Sequence, residues 1–274
     1  MQAVYPGLVD VHARHNINVV GAGGGPTLLL VHGFGCDQTL WRPVVEQLES
    51  EFRMVLIDLV GSGSSDPRAW DATKYSSLSG YAADVLDIVN ELDLRDVVFV
   101  GHSVSAMIGA LATISDPSRF AKLVLLTPSP CYIDDGDYRG GFSKADIEEL
   151  LDSLEQNYLG WSRAMAPVIM GTPDRPELQD ELAETFCRAD PEHARVFAGA
   201  TFLSDNRADL PRIALPTLVI ECAQDAIAPR EVGSYVDAHV PDSRLVTLDA
   251  TGHCPHVSAP QATASAIAAF ARST

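Results

Sequence analysis

Six short stretches of this chain are apolar on nearly every successive residue: 27–32 (TLLLVH), 53–58 (RMVLID), 97–101 (VVFVG), 123–127 (LVLLT), 217–221 (TLVIE) and 244–248 (RLVTL). Unbroken apolarity over so few residues predicts strands buried on both faces, the condition met in a parallel sheet covered by helices. The first is entered from the turn-rich GAGGGP and closed by Gly33. Between them the period lengthens to that of a helix. Trp41, Val44, Val45 and Leu48 share one face; Leu78, Tyr81, Ala82, Val85, Val89 and Leu92 share another; and a third helix runs from Ser103 to before Pro117. Alternating strand and helix predict an α/β fold with a mostly parallel central sheet flanked by helices.

The alternation stops over 128–209, which predicts four helices in succession and no strand. Ser143 caps one that carries Ile147, Leu150, Leu151 and Leu154, a second covers 161–169, and Asp174 and Asp190-Pro191 open two more. The expected organisation is a core of 1–127 and 210–274 with a helical lid, 128–209, inserted before the strand that precedes Asp225; the insertion is too short to hold a core of its own. No internal repeat or low-complexity tract is found.

Composition narrows the function. With 37 Asp+Glu against 19 Lys+Arg the formal charge is −18, and a pI near 4.6 offers no basic footprint for nucleic acid. Apolar residues at 46% in a chain of 274 support one large folded domain. No basic segment leads into an apolar stretch at the N-terminus and no apolar run approaches the roughly 20 residues that span a bilayer, so neither export nor a membrane is expected. The five cysteines, Cys36, Cys131, Cys187, Cys222 and Cys254, are odd in number and never in CxxC spacing. Reduced thiols in a cytoplasmic protein are expected, with neither a disulfide framework nor a zinc site.

The chemistry concentrates at 97–106, VVFVGHSVSA, where a strand runs into a small-x-Ser-x-small turn and then a helix. This is the pattern of a nucleophile elbow, whose strained turn needs small residues two before and two after the serine, here Gly101 and Ser105. Ser105 departs from the usual glycine. An isolated GxSxS serves equally well as a helix cap, so the context decides. Serine needs a base and an orienting carboxylate, and both follow on strand ends: Asp225 after TLVIE and His253 after RLVTL, in the order Ser, Asp, His. His102 is expected to point its ring elsewhere, and His12, His15, His193 and His239 stand in no motif. Cys254 and His256 beside His253 raise a metal reading, but no second cluster completes such a site. No metal and no cofactor are expected.

An acyl-transfer reaction also needs donors for its oxyanion. Backbone N–H groups of Phe34, in the HGFG turn after the first strand, and of Val104, after the serine, are the expected pair. GAGGGP and GSGSS (61–65) lack the strand-to-helix spacing of a phosphate loop and are read as turns.

These motifs resemble the α/β-hydrolases, and specifically the RsbQ group of bacterial stress regulators together with the plant strigolactone and karrikin receptors. The resemblance spans nearly the whole chain and is carried by HGFGCDQTLW (32–41), DLVGSGSSD (58–66), GHSVSAMIG (101–109), SPCYIDDGDYRGGF (129–142), NYLGW (157–161) and GHCPH (252–256). It implies an α/β-hydrolase fold, a V-shaped four-helix lid over a closed apolar pocket, slow hydrolysis and a signalling role. It places the triad at Ser103, Asp225 and His253, and the pocket at Phe34, Tyr132, Phe142, Trp161, Met165 and Phe202.

Two functions stand in view. One is a serine hydrolase that cleaves a small apolar ester or lactone through an acyl-enzyme. The other is a ligand-responsive regulator whose partner is a signalling protein such as a stress-pathway phosphatase. A metabolic carbon–carbon hydrolase or a cofactor-free haloperoxidase would use the same triad. A haloalkane dehalogenase or epoxide hydrolase would need a carboxylate where Ser103 stands.

Overall fold

The computed structural model describes residues 10–273. Seven strands form one sheet: β1 (Asn18–Val20), β2 (Leu28–Val31), β3 (Met54–Ile57), β4 (Val97–His102), β5 (Phe120–Leu126), β6 (Thr217–Gln224) and β7 (Ser243–Thr251). Their order is β1-β3-β2-β4-β5-β6-β7, with β1 antiparallel to β3 and every other neighbour parallel. The six expected strands are present. The seventh, β1, is a three-residue edge strand with Val19 46% exposed; it buries too little to leave an apolar signature.

The continuous apolar runs have a direct physical cause. Side chains alternate across a strand, and here both faces are covered. Leu28, Leu30, Met54, Leu56, Val98, Val100, Val124, Leu126, Leu218 and Ile220 enter one core layer; Leu29, Val31, Val55, Ile57, Val97, Phe99, Leu123, Leu125 and Val219 enter the other. The helices are α1 (Val11–Arg14), α2 (Arg42–Leu48), α3 (Leu78–Glu91), α4 (Val104–Ser115), α5 (Lys144–Gln156), α6 (Tyr158–Met170), α7 (Pro176–Arg188), α8 (Pro191–Phe202), α9 (Arg230–His239), α10 (Pro255–Ser258) and α11 (Pro260–Arg272). Val44 and Leu48 of α2 and Ile267 and Phe270 of α11 fill the first layer, while Tyr81, Val85 and Val89 of α3 and Met107 and Ile108 of α4 fill the second. No described helix is long and apolar enough to cross a membrane.

Between β5 and β6 four helices, α5 to α8, follow one another. Ser143 opens α5 with a reciprocal cap, its hydroxyl accepting from Asp146 N–H while the Asp146 carboxylate accepts from Ser143 N–H. Asp190 accepts from the N–H groups of Glu192 and His193 at the start of α8, with Pro191 in the first turn. Helix α7 starts at Pro176, two residues beyond Asp174. Proline lacks an N–H and has its φ preset for the first turn, so it takes the start position in preference to the aspartate cap.

The loops at the carboxyl ends of β2 and β3 are joined by one carboxylate. Asp58 accepts from Gln38 N–H at 2.9 Å, Ser64 N–H at 2.9 Å and the Asn16 side chain at 2.8 Å. His32 adds a second tie, its Nε2 accepting from Leu59 N–H at 3.0 Å and its Nδ1–H donating to Gly33 O at 2.8 Å. At the end of β4, Gly101 lies so close to α4 that a Cβ there would stand 2.3 Å from the Ser105 carbonyl oxygen. Gly101→Ala is therefore expected to cost about 1–3 kcal/mol by overpacking, read as a lower denaturant midpoint for the variant than for the parent chain.

Candidate active site

Strand β4 becomes helix α4 within a single residue. Ser103 makes this turn with φ 57° and ψ −123°, a region that a side chain of this kind adopts only at a cost of roughly 1–3 kcal/mol. Its N–H donates to Leu126 O at 2.8 Å and its carbonyl accepts from Ala106 N–H at 2.9 Å, so the neighbouring strand and the helix hold the strain in place. The unusual Ser105 also has a function in the turn. Its hydroxyl donates to His32 O, tying the elbow to the HGFG loop.

His253 Nδ1–H donates to Asp225 Oδ2 at 2.7 Å, which leaves Nε2 as an acceptor for the Ser103 hydroxyl, also at 2.7 Å. Asp225 Oδ1 accepts from the N–H groups of Ile227 at 2.8 Å and Ala228 at 3.1 Å. The carboxylate side chain is fully enclosed, and Ser103 and His253 are buried. The backbone of His253 is fixed as well: its N–H donates to Ile169 O in α6 at 2.8 Å, and its carbonyl accepts from His102 Nε2–H at 2.9 Å and Thr127 Oγ1–H at 3.1 Å. His102 thus does not point away. Its ring lies beside that of His253, with centroids 5.3 Å apart.

Of the two expected oxyanion donors, Val104 directly follows Ser103 and Phe34 directly follows Gly33. Val104 opens α4, where a helix leaves its first N–H groups without internal acceptors. Phe34 N–H has no acceptor among the described residues. The loop that bears it presses on the elbow, since a Cβ on Gly33 would lie 3.1 Å from Ser103 Cβ.

Above Ser103 and His253 lies a small chamber walled by Phe34, Tyr132, Leu150, Trp161, Met165, Ile169, Phe186, Phe202 and Ile227, with Cys36, His102, Thr201 and Cys254 completing the lining. All four helices α5 to α8 contribute. The Phe34 ring is central to the apolar wall, with the rings of Trp161, Phe186, Phe197 and Phe202 at 5.5–6.1 Å. The Tyr132 hydroxyl stands 3.5 Å from Ser103 Oγ, and burial pushes its ionisation up to about 12, so it remains a hydroxyl beside the serine.

One expected wall residue is not there. Phe142 does not line the chamber; its N–H donates to Tyr132 O at 3.1 Å and its carbonyl accepts from Asp134 N–H at 2.8 Å. Asp134 also accepts from the N–H groups of Gly140 and Gly141, folding this loop back on itself. Sequence motifs gave no sign of Cys36, Ile169, Phe186, Thr201 or Ile227 as wall residues. Leu150 was legible only as part of an apolar helix face.

His256, the remaining histidine of GHCPH, is fully buried between the rings of Trp41 at 4.7 Å and His102 at 4.3 Å, and neither of its nitrogens has a hydrogen-bond partner among the described residues. Burial, with the neighbouring His102 and His253 adding to it, holds its ionisation well below the ordinary 6.5. Among the described residues no group of three or more His, Cys, Asp or Glu is arranged to hold a metal. Burial also lowers His15 despite the nearby Asp84 carboxylate. As pH falls through the ordinary histidine value, the unfolded chain binds protons that the native state refuses, so stability is full above about pH 6.5 and declines below it. The thermal midpoint should drop between about pH 7 and pH 5, and His256→Leu should flatten that drop; equal slopes in the two proteins would contradict this assignment.

Residues 28–266 match the Alpha/beta hydrolase family. The chain is 39% identical over 251 residues to a protein named as a probable esterase of Oryza sativa subsp. japonica, covering 91% of this chain and 93% of the relative. It is 39% identical over 246 residues to a strigolactone esterase of Arabidopsis thaliana, covering 89% and 91% of the two chains. The solved structure of a hydrolase from Oleispira antarctica superposes with a TM-score of 0.93 at 42% identity, over 97% of each chain. By sequence and by fold, the chain belongs to the alpha/beta hydrolase family.

Proposed function

We propose that this protein is a serine hydrolase that cleaves a small apolar ester or lactone through an acyl-enzyme, with Ser103 as nucleophile, His253 as base and Asp225 as its orienting carboxylate. The observation that carries this reading is the unbroken hydrogen-bonded series Ser103–His253–Asp225 opening into an apolar chamber. His253 Nε2 takes the hydroxyl proton as Ser103 Oγ attacks the carbonyl carbon, while Asp225 stabilises the imidazolium that forms. The oxyanion is received by the N–H groups of Phe34 and Val104, each donor of this kind contributing on the order of 10²–10³ in rate. The imidazolium then passes its proton to the leaving oxygen, and water repeats the sequence on the acyl-enzyme. For a lactone the leaving alcohol stays tethered to the acyl group.

The insertion 128–209 acts as the lid in this reading, since its residues supply just over half of the chamber wall. An anion entering a space walled by Phe34, Trp161, Phe186 and Phe202 would lose hydration without gaining a partner, so uncharged ligands are favoured. Relatives named as esterases support hydrolysis. A regulatory role is supported by a different relative, 36% identical over 251 residues and named a karrikin insensitive 2 receptor, of Petunia hybrida; a signalling partner for this chain belongs with that reading, and turnover would then end or trigger the signal.

A fluorophosphonate probe should label Ser103, with the adduct found on its peptide by mass spectrometry, and Ser103→Ala should abolish labelling. Turnover of an activated ester should fall by several powers of ten in Ser103→Ala and in His253→Ala, because members of a triad act as a unit. Equal labelling of Ser103→Ala would reject the nucleophile. Trp161→Ala and Phe202→Ala should alter selectivity among short esters, butenolide-type lactones and long-chain esters while the probe still labels Ser103. Best turnover on long-chain esters, unaffected by either change, would point instead to a general esterase with an open site.

A further inference from the structure

Two thiols share the chamber wall with Ser103, and hydrolysis uses neither. Cys36 lies two residues beyond Phe34 and Cys254 directly follows His253; both are buried. His102 stands beside them. Its Nε2–H donates to His253 O at 2.9 Å, so Nδ1 carries the lone pair. That nitrogen is buried and has no hydrogen-bond partner of any kind among the described residues, so its lone pair is open. The loop carrying Cys36 closes over it: a Cβ on Gly33 would lie 2.7 Å from His102 Nδ1. Contact with Cys254, and then with His102, holds the Cys36 thiol below its ordinary range, whereas contact with Cys36 and burial raise that of Cys254. One thiol is disposed to attack and its neighbour to resolve.

We propose that Cys36 and Cys254 form an oxidisable dithiol, with His102 as its base, that reduces a small hydroperoxide entering the chamber and closes to a disulfide. His102 Nδ1 accepts the Cys36 proton; the thiolate attacks the terminal peroxide oxygen, an S–O bond forms and the O–O bond breaks. The departing oxygen takes the proton from His102 and leaves as an alcohol, or as water from hydrogen peroxide. Cys254 then attacks the Cys36 sulfenic acid, an S–S bond forms, and the S–O bond breaks with loss of water that carries the Cys254 proton. Two thiols are oxidised by two electrons and one peroxide is reduced. The assignment is independent of the hydrolase reading.

The test treats the whole chain with hydrogen peroxide, then denatures it, alkylates free thiols with iodoacetamide and maps disulfides by mass spectrometry before and after dithiothreitol. The expected result is a Cys36–Cys254 linked peptide at least about ten-fold more abundant than any pairing with Cys131, Cys187 or Cys222. Cys254→Ser should stop at a sulfenic acid on Cys36 that dimedone traps, and His102→Ala should slow linkage about ten-fold or more. Recovery of Cys36 and Cys254 as separate alkylated peptides, or of Cys36 joined to another cysteine, would overturn the proposal. That readout needs only the unsubstituted chain, so a variant that fails to fold does not remove it.

Discussion

The backbone of Ser103, at φ 57° and ψ −123°, is the constraint on which the rest of the site depends. A strand and a helix cannot be joined in one residue without such a turn, which directs the hydroxyl out of the sheet toward the loops at its carboxyl edge. Neighbours keep the strain from relaxing. Leu126 O in β5 receives the Ser103 N–H, the Ser105 hydroxyl reaches back to His32 O after β2, and Gly101 allows α4 to pack against β4. The elbow is thus secured by three adjacent parallel strands, β2, β4 and β5, in the middle of the sheet.

His253 is held by both halves of the molecule. Its carbonyl is held from the sheet side by His102 and Thr127, while its N–H donates to Ile169 of α6. A displacement of α6 would therefore act on the imidazole that faces Ser103, coupling the helices over the chamber to the chemistry beneath them. Asp225 is free of this coupling, because the Ile227 and Ala228 N–H groups of its own loop fix it.

Polar groups under an apolar roof explain the many histidines. His32 ties two loops, His102 supports the backbone of His253, and His256 fills a gap between two rings, kept uncharged by burial. The chamber is consequently apolar on one side and lined with hydrogen-bonding groups on the other, a division suited to a ligand with one polar carbonyl on a hydrophobic body.

The six main strands, the order Ser103, Asp225, His253 and the helical character of α5 to α8 were all legible in the sequence, since burial on both faces, strand-end placement and capping residues are local signals. Edge strand β1 was not, because three half-exposed residues leave no hydrophobic pattern. The wall of the chamber was legible only in part: Phe34, Tyr132, Trp161, Met165 and Phe202 line it, as the resemblance implied, and Phe142 does not. Phe142 and Phe186 look alike as lone aromatics in a helical or loop segment, yet the former sits in a loop folded on Asp134 and leaves the chamber, while α7 presents the latter to Phe34. The neighbouring thiols of Cys36 and Cys254, 218 positions apart by their numbers, and the support His102 gives to His253 arise only when β2, β4 and β7 align their carboxyl ends. The sequence by itself determined which elements form and which residue types stand at their ends; the tertiary structure alone decided which side chains meet, because contacts between distant segments follow from packing of the sheet and helices and have no local period.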